Sequence, residues 1–336
     1  MENQPNENGN IKKLALKILT EKTAYAFEGG GVLGAGHAGA LVRLYELGGL
    51  KQIDYVVGTS VGSIISMALA CGATTYYIKE KLFDLNLNRF EDGGNFISKA
   101  FRFIFSYGIH KGDELERFAE EILTDLTDNP NITFLQAYER FGTHLTITYL
   151  SSRYRRTKYA DHITSPDLPI KKAVRWSSTI PFFFKASRHY NKNRELYDLL
   201  VDGGVMDNYP LHVLKEQNQS PQSILGFKLC DNNERNEYQA IKDDTIDQEV
   251  DHGLPQNIKD FSVGLLDILR HQALRYHVHK EDWKLTCKID IGSYKTTDFT
   301  MTEDDKLWLY NSGRDAVDQH LSEIESLLIS GSYPLE

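Results

Sequence analysis

Short apolar runs alternate with amphipathic stretches along most of this chain. Ala24-Tyr25-Ala26-Phe27 is an unbroken apolar run that predicts a short buried strand. It passes through a glycine cluster into a helix predicted from His37 to Leu47. Residues 54–57 predict a second strand, followed by a sharp turn at Ser60 and the helix-like run Ser63-Ile64-Ile65-Ser66-Met67-Ala68-Leu69-Ala70. Residues 76–141 read as mostly helical, with interruptions at Gly93-Gly94 and Asn129-Pro130. Residues 144–150 alternate and are rich in β-branched side chains, so they predict a strand, with a hairpin turn over 151–156 and a return over 158–160. A short helix over 171–178 is stopped by Pro181, and residues 197–201 and 223–229 predict two more strands. A long amphipathic helix is expected over 258–280, and Thr302 is placed to N-cap the last one.

Strands alternating with helices predict a three-layer α/β/α domain around a central, mainly parallel sheet. Four parts are expected: an N-terminal tail over 1–20, disordered apart from a short amphipathic segment at 11–19; a core over 21–230; an acidic loop or lid over 231–258; and a helical C-terminal part over 259–336 packed on the same domain.

Composition narrows the partners more than the fold. The 336 residues are 41% hydrophobic and 25% charged, an ordinary globular balance. The formal net charge of −9 argues against nucleic acid as the main partner, though a local basic patch could still meet anionic lipid. Cys71, Cys230 and Cys287 are far apart and form no paired motif, which favours a reducing compartment over disulfides or zinc. The polar N-terminus carries no apolar signal region, and no apolar run approaches the ~20 residues of a membrane span. The expectation is a cytoplasmic protein, or one delivered to a cytoplasm; if it acts on lipid, it does so as a peripheral visitor.

Several stretches could carry chemistry. Gly58-Thr59-Ser60-Val61-Gly62 is a G-x-S-x-G pentapeptide between a predicted strand and a predicted helix, the context in which a serine hydroxyl stands exposed on a tight turn. An ordinary turn would look the same. The run from Glu28 to His37 holds Gly29, Gly30, Gly31 and Gly34, and its backbone N–H groups at a helix start favour negative charge. It fits the dinucleotide pattern twice, at Gly29/Gly31/Gly34 and Gly34/Gly36/Gly39. That use also needs an acid closing the second strand, and Asp54 opens it. Asp202-Gly203-Gly204 follows an apolar run and could equally be a hairpin turn. Phe182, Phe183 and Phe184 suit either a core or an acyl-chain wall. Arg153, Arg155 and Arg156 suit either a solvated turn or contact with phospholipid headgroups. His271, His277 and His279 lack the acid or cysteine pattern of a metal site. A calcium loop from Asp231 fails because Asn236 and Lys242 occupy the glycine and glutamate positions.

The order of these motifs resembles the patatin-like phospholipase family. The matching residues are Gly29-Gly30-Gly31-x-x-Gly34, Gly58-x-Ser60-x-Gly62 and Asp202-Gly203-Gly204, with Ser177 to Phe184 similar to the block that precedes the acidic strand. The resemblance covers roughly residues 22–230. It implies a Ser60–Asp202 catalytic dyad, an oxyanion hole built from Gly29, Gly30, Gly31 and Gly34, and an elbow held by Gly58 and Gly62. It further implies hydrolysis of phospholipid esters through an acyl-serine intermediate, no metal or cofactor and a transient membrane partner. A cytosolic lipase that would otherwise damage membranes could be switched by an activating protein or ligand, with the acidic 231–258 segment as the place for a lid. One departure stands out: Val32-Leu33 occupies the part of the glycine loop where the family usually carries a cation. Two alternatives remain at this stage. One is a Ser–His–Asp esterase using His212 or His271, and the other is a catalytically silent lipid- or partner-binding module, for which Leu33 is the warning.

Overall fold

The computed structural model describes residues 4–84, 108–191, 195–231, 264–265, 268–269, 272–274, 276–296, 298 and 300–333. The strands are β1 (Ala24–Phe27), β2 (Tyr55–Gly58), β3 (Gly108–His110), β4 (His144–Ser151), β5 (Arg156–Ala160), β6 (Phe182–Phe184), β7 (Ser187–Asn191), β8 (Leu196–Asp202), β9 (Ile224–Cys230) and β10 (Thr286–Asp290). Eight of them make one sheet in the order β10-β9-β1-β2-β4-β8-β7, with β5 also on β4. The strands from β10 to β4 run parallel, and β8, β7 and β5 add an antiparallel end. β3 and β6 pair apart from this sheet.

Alternation along the central strands splits the core in two. Tyr25, Phe27, Val56, Leu225, Phe227 and Leu229 point to one face, where they join the major hydrophobic cluster. Ala24, Ala26, Tyr55, Val57 and Ile224 point to the other, with Trp283 and Leu285. On the first face lie α1 (Gln4–Thr20), α2 (Gly34–Glu46), α3 (Val61–Ala70), α4 (Thr75–Phe83), α5 (Asp113–Thr127), α6 (Phe134–Phe141), α7 (Ile170–Ser177) and the long α9 (Glu303–Ile329). The short α8 (Leu211–Glu216) covers the second. The result is the expected mixed α/β architecture with helices on both faces of a mostly parallel sheet.

Several expectations change. The N-terminus is helical from Gln4, because Ala15 and Leu19 are fully buried and α1 docks on α9. Within 76–141 the described residues are mostly helical as expected, with the break at Asn129-Pro130 lying between α5 and α6 and β3 as a further interruption; Gly93-Gly94 lies outside the described residues. The C-terminal part is not purely helical, since it supplies β10. That strand was hidden by Lys288, whose charge is matched by Glu323 at 2.7 Å. Polar Ser187–Asn191 hid β7 in the same way. Thr302 caps α9 as predicted, in a reciprocal capping box with Asp305. Of the predicted acidic loop, everything after Asp231 lies outside the described residues.

Candidate active site

Ser60 sits between β2 and α3 with φ +53° and ψ −124°. A non-glycine residue in this conformation costs of the order of 1–3 kcal/mol and persists only where its surroundings over-determine it. Both flanking glycines are needed for close approach. A Cβ on Gly58 would stand 2.1 Å from the Gly62 carbonyl oxygen, and one on Gly62 would stand 2.3 Å from the Phe27 carbonyl oxygen. The Ser60 carbonyl accepts from the Ser63 N–H at 2.9 Å and the Ser63 hydroxyl at 2.6 Å. Its N–H donates to Ser177 Oγ at 2.9 Å.

Asp202 closes β8 and is completely buried. Register places it opposite Tyr149 on β4, whereas Gly58 lies opposite Ile147 on the same strand. Ser60 and Asp202 therefore flank β4 at nearly the same height. The Asp202 Oδ1 accepts from the Gly204 N–H at 2.7 Å, and the Asp202 N–H donates to the Thr179 carbonyl at 2.8 Å. One short segment, Ser177-Ser178-Thr179, thus holds the backbone of both residues. The buried Arg175 guanidinium steadies that segment by donating to Thr179 Oγ1 and, at 2.7 Å, to the Lys111 carbonyl.

Asn208 joins the two halves further. A Cβ on Gly29 would lie 2.5 Å from Asn208 Oδ1 and 3.0 Å from Ser60 Cβ. A Cβ on Gly204 would lie 2.5 Å from the same Oδ1 and 3.0 Å from Asp202 Oδ1. The Asn208 amide nitrogen donates to Glu28 Oε1 at 3.2 Å and to the Gly29 carbonyl at 3.0 Å. Glu28 in turn pairs with the fully buried Lys228 at 3.2 Å and accepts from the Leu229 N–H at 2.7 Å. A buried ion pair anchors the root of the glycine loop.

Within that loop the four candidate glycines differ. The Gly29 N–H is taken by the Asn208 carbonyl at 3.0 Å. The N–H groups of Gly30 and Gly31 have no hydrogen-bond acceptor among the described residues. Gly31 has φ +53°, and the Thr296 carbonyl presses on it while accepting from the Val32 N–H at 3.2 Å. Gly34 begins α2. The later glycines of the repeated motif serve packing: a Cβ on Gly39 would meet the Tyr310 carbonyl oxygen at 1.9 Å, and one on Gly313 of α9 would meet the Gly36 carbonyl oxygen at 1.9 Å. Val32 and Leu33 are both buried, so the place of the family's cation is apolar.

A cavity of about 50 Å³ opens beside Ser60. Gly31, Gly34 and Ser178 border it, and Val32, Ile64, Leu82, Leu115, Phe118, Ile180 and Phe184 give it an apolar wall. Of the three consecutive phenylalanines, Phe184 lines it. Phe183 instead stacks on His110, and Phe182 is exposed with φ +67°.

The remaining candidates lie elsewhere. Arg155 in the β4–β5 turn and Arg156 at the start of β5 are exposed, and Arg153 donates through Nε to the Tyr197 carbonyl at 2.6 Å. The His212 Nε2 faces Tyr159 Oη at 3.3 Å and Asp207 Oδ2 at 3.8 Å, and its ring stacks on His277. Burial drives its pKa down to about 4. His271 lies outside the described residues. Sequence pattern missed Asn208, Glu28 and the bridging role of Ser177, because their partners stand more than a hundred residues away and no periodicity links them.

A family model described as patatin-like phospholipase matches residues 25–215. An uncharacterized Bacillus subtilis protein, YqhO, is 25% identical over 317 residues, covering 88% of this chain and 97% of that one. Triacylglycerol lipase 4 of Saccharomyces cerevisiae is 28% identical over 214 residues, covering 58% of this chain and 23% of the yeast protein. Among solved structures, VipD from Legionella pneumophila superposes with a TM-score of 0.61 at 16% identity, over 90% of this chain and 67% of VipD. ExoU from Pseudomonas aeruginosa, in its heterodimer with SpcU, gives 0.52 at 18% identity over 91% of this chain and 52% of that one. Among the described residues no helix is long and apolar enough to cross a membrane.

Proposed function

The chain belongs to the patatin-like phospholipase family, and from that premise we propose that it is a lipid acyl hydrolase of the phospholipase A or lysophospholipase type, with Ser60 as nucleophile and Asp202 as base. The observation that carries this reading is the Ser177–Thr179 segment, which ties the backbone of a strained, buried serine and that of a buried aspartate at one end of the sheet.

In the proposed reaction the acyl chain occupies the apolar cavity beside Ser60. Asp202 takes the hydroxyl proton as Ser60 Oγ attacks the ester carbonyl carbon. The carbonyl oxygen gains negative charge and is met by the unengaged N–H groups of Gly30 and Gly31. Each such donor is typically worth ~10²–10³ in rate. The tetrahedral adduct collapses, the alcohol leaves with the proton held by Asp202, and an acyl ester remains on Ser60. Water then attacks that ester, giving its proton to Asp202, and the free fatty acid departs as Ser60 recovers its hydrogen. Backbone donors carry the charge stabilisation, which suits a loop whose Val32-Leu33 pair offers no cation.

Ser60→Ala and Asp202→Asn test the dyad. Liposome hydrolysis followed by mass spectrometry of the products, together with fluorophosphonate labelling of Ser60, should show both variants inactive and the parent chain labelled. Full activity in either variant would sink the dyad. Activity lost in His212→Ala with the fold intact would move the base to a histidine.

A further inference from the structure

Two antiparallel extensions leave the sheet at the end that carries Ser60. Strand β8 pairs with β4 only over Leu200–Asp202, so residues 196–198 are paired with β7 alone and the β7–β8 ribbon projects past the sheet. Tyr190 and Tyr197 are direct cross-strand partners on its outer face, 44% and 55% exposed, with ring centroids 4.9 Å apart. Arg188 lies two residues along on that face, its guanidinium 5.3 Å from the Tyr197 ring centroid. The β4–β5 hairpin is fastened to the ribbon by the Arg153 Nε bond to the Tyr197 carbonyl and by the Arg153 N–H bond to Asp198 Oδ1 at 3.1 Å. Residues 151–160 contain Arg153, Arg155, Arg156 and Lys158 and no acid, in a chain of net charge −9. Arg155, Arg156 and Arg188 are exposed and make no ion pair with any described residue. Of the described acids in the ribbon, Asp198 is buried against Ser151 Oγ at 2.6 Å, and Glu195 alone is exposed.

We propose that this ribbon and hairpin form a docking surface for an anionic phospholipid bilayer. The proposal rests on the hydrolase reading for its purpose, since docking here turns the Ser60 end of the sheet toward the lipid. Tyrosines with an apolar body and a polar tip suit the headgroup layer. Guanidiniums that make no ion pair with a described residue gain phosphate contacts without breaking one. A zwitterionic bilayer lacks the net charge that would select this patch over the acidic remainder of the surface.

The test uses the full chain carrying Ser60→Ala, so that vesicles stay intact. Sedimentation with phosphatidylcholine vesicles is compared with sedimentation on vesicles that also contain phosphatidylserine. Binding is expected only to the second, weakening with added salt. In the triple variant Arg155→Gln, Arg156→Gln, Arg188→Gln it should fall about a hundred-fold, from about five-fold per arginine. The matching triple Arg→Lys variant should retain it. Tyr190→Trp should show a blue-shifted emission change with anionic vesicles alone. Equal binding to both vesicle types, undiminished binding by the glutamine variant, or no sedimentation of folded protein would each overturn the proposal. Hydrolysis of a soluble ester by the parent chain is scored separately, so a failed docking surface and a failed hydrolase give different results.

Discussion

Replacing Gly62 by Ala should cripple the site while leaving the fold standing. The new Cβ would be 2.3 Å from the Phe27 carbonyl oxygen and 2.8 Å from the Glu28 carbonyl oxygen. Carbon–oxygen contacts in proteins ordinarily begin near ~3.3 Å, so the elbow must retreat by about 1 Å from the end of β1. Both obstacles are backbone oxygens, at the last residue of β1 and the one after it, so the start of α3 gives way, taking Ser60 with it. A displacement of about 1 Å at a reacting group can lower the rate by ~10², and overpacking costs about 1–3 kcal/mol of stability. The assay is kcat/KM on a soluble ester well below the melting temperature, with the melt recorded by circular dichroism. Gly9→Ala, where nothing lies within 4 Å, is the matched control and should behave as the parent. If Gly62→Ala keeps parental kcat/KM, the elbow does not position the nucleophile and the geometric reasoning fails.

Three further outcomes follow from the same contacts. Burial pushes the Asp207 carboxyl up to about 7, against about 3.9 in an unfolded chain. The folded state therefore holds the extra proton, stability should fall as pH rises from about 4 to about 7, and Asp207→Asn should flatten that slope, a span of about 4 kcal/mol at most; unchanged melting profiles over this window would contradict it. The groups facing Asp207 are Tyr159, which donates to Oδ2 at 2.9 Å, the neutral His212, and Glu216. Glu28→Gln strands the buried Lys228 charge and should cost about 3–5 kcal/mol by denaturant titration, with Lys228→Met added in the same chain restoring much of the loss. Phe184→Ala should cost about 3–5 kcal/mol and shift hydrolysis toward longer acyl chains, read from product profiles on mixed liposomes.

Legibility from sequence followed the range of the forces involved. Strands β1, β2, β4, β8 and β9 were readable because both of their faces, or one alternating face, must be apolar. The motifs around Ser60 and Asp202 were readable because close backbone approach leaves glycine as the sole choice at Gly58, Gly62 and Gly203. Strands β7 and β10 were not, since at the sheet's edges charged side chains such as Arg188 and Lys288 find solvent, rings or partners on other elements. The second dinucleotide-like glycine pattern misleads by itself, because Gly39 answers to the backbone of a helix about 270 residues further along. The roles of Asn208 and Ser177 are purely tertiary and leave no local mark.

The crossing of α2 and α9 sets an order of events during synthesis. The glycine loop hangs from the start of α2, and α2 is seated by backbone contact with Tyr310 and Gly313. A nascent chain on the ribosome therefore carries Ser60, Asp202 and its glycine loop long before the helix that braces the loop has emerged. On the proposed chemistry, the brace on the glycine loop comes from α9, which follows Asp202 by about a hundred residues, so the loop takes its final seat only after Ser60 and Asp202 have been made.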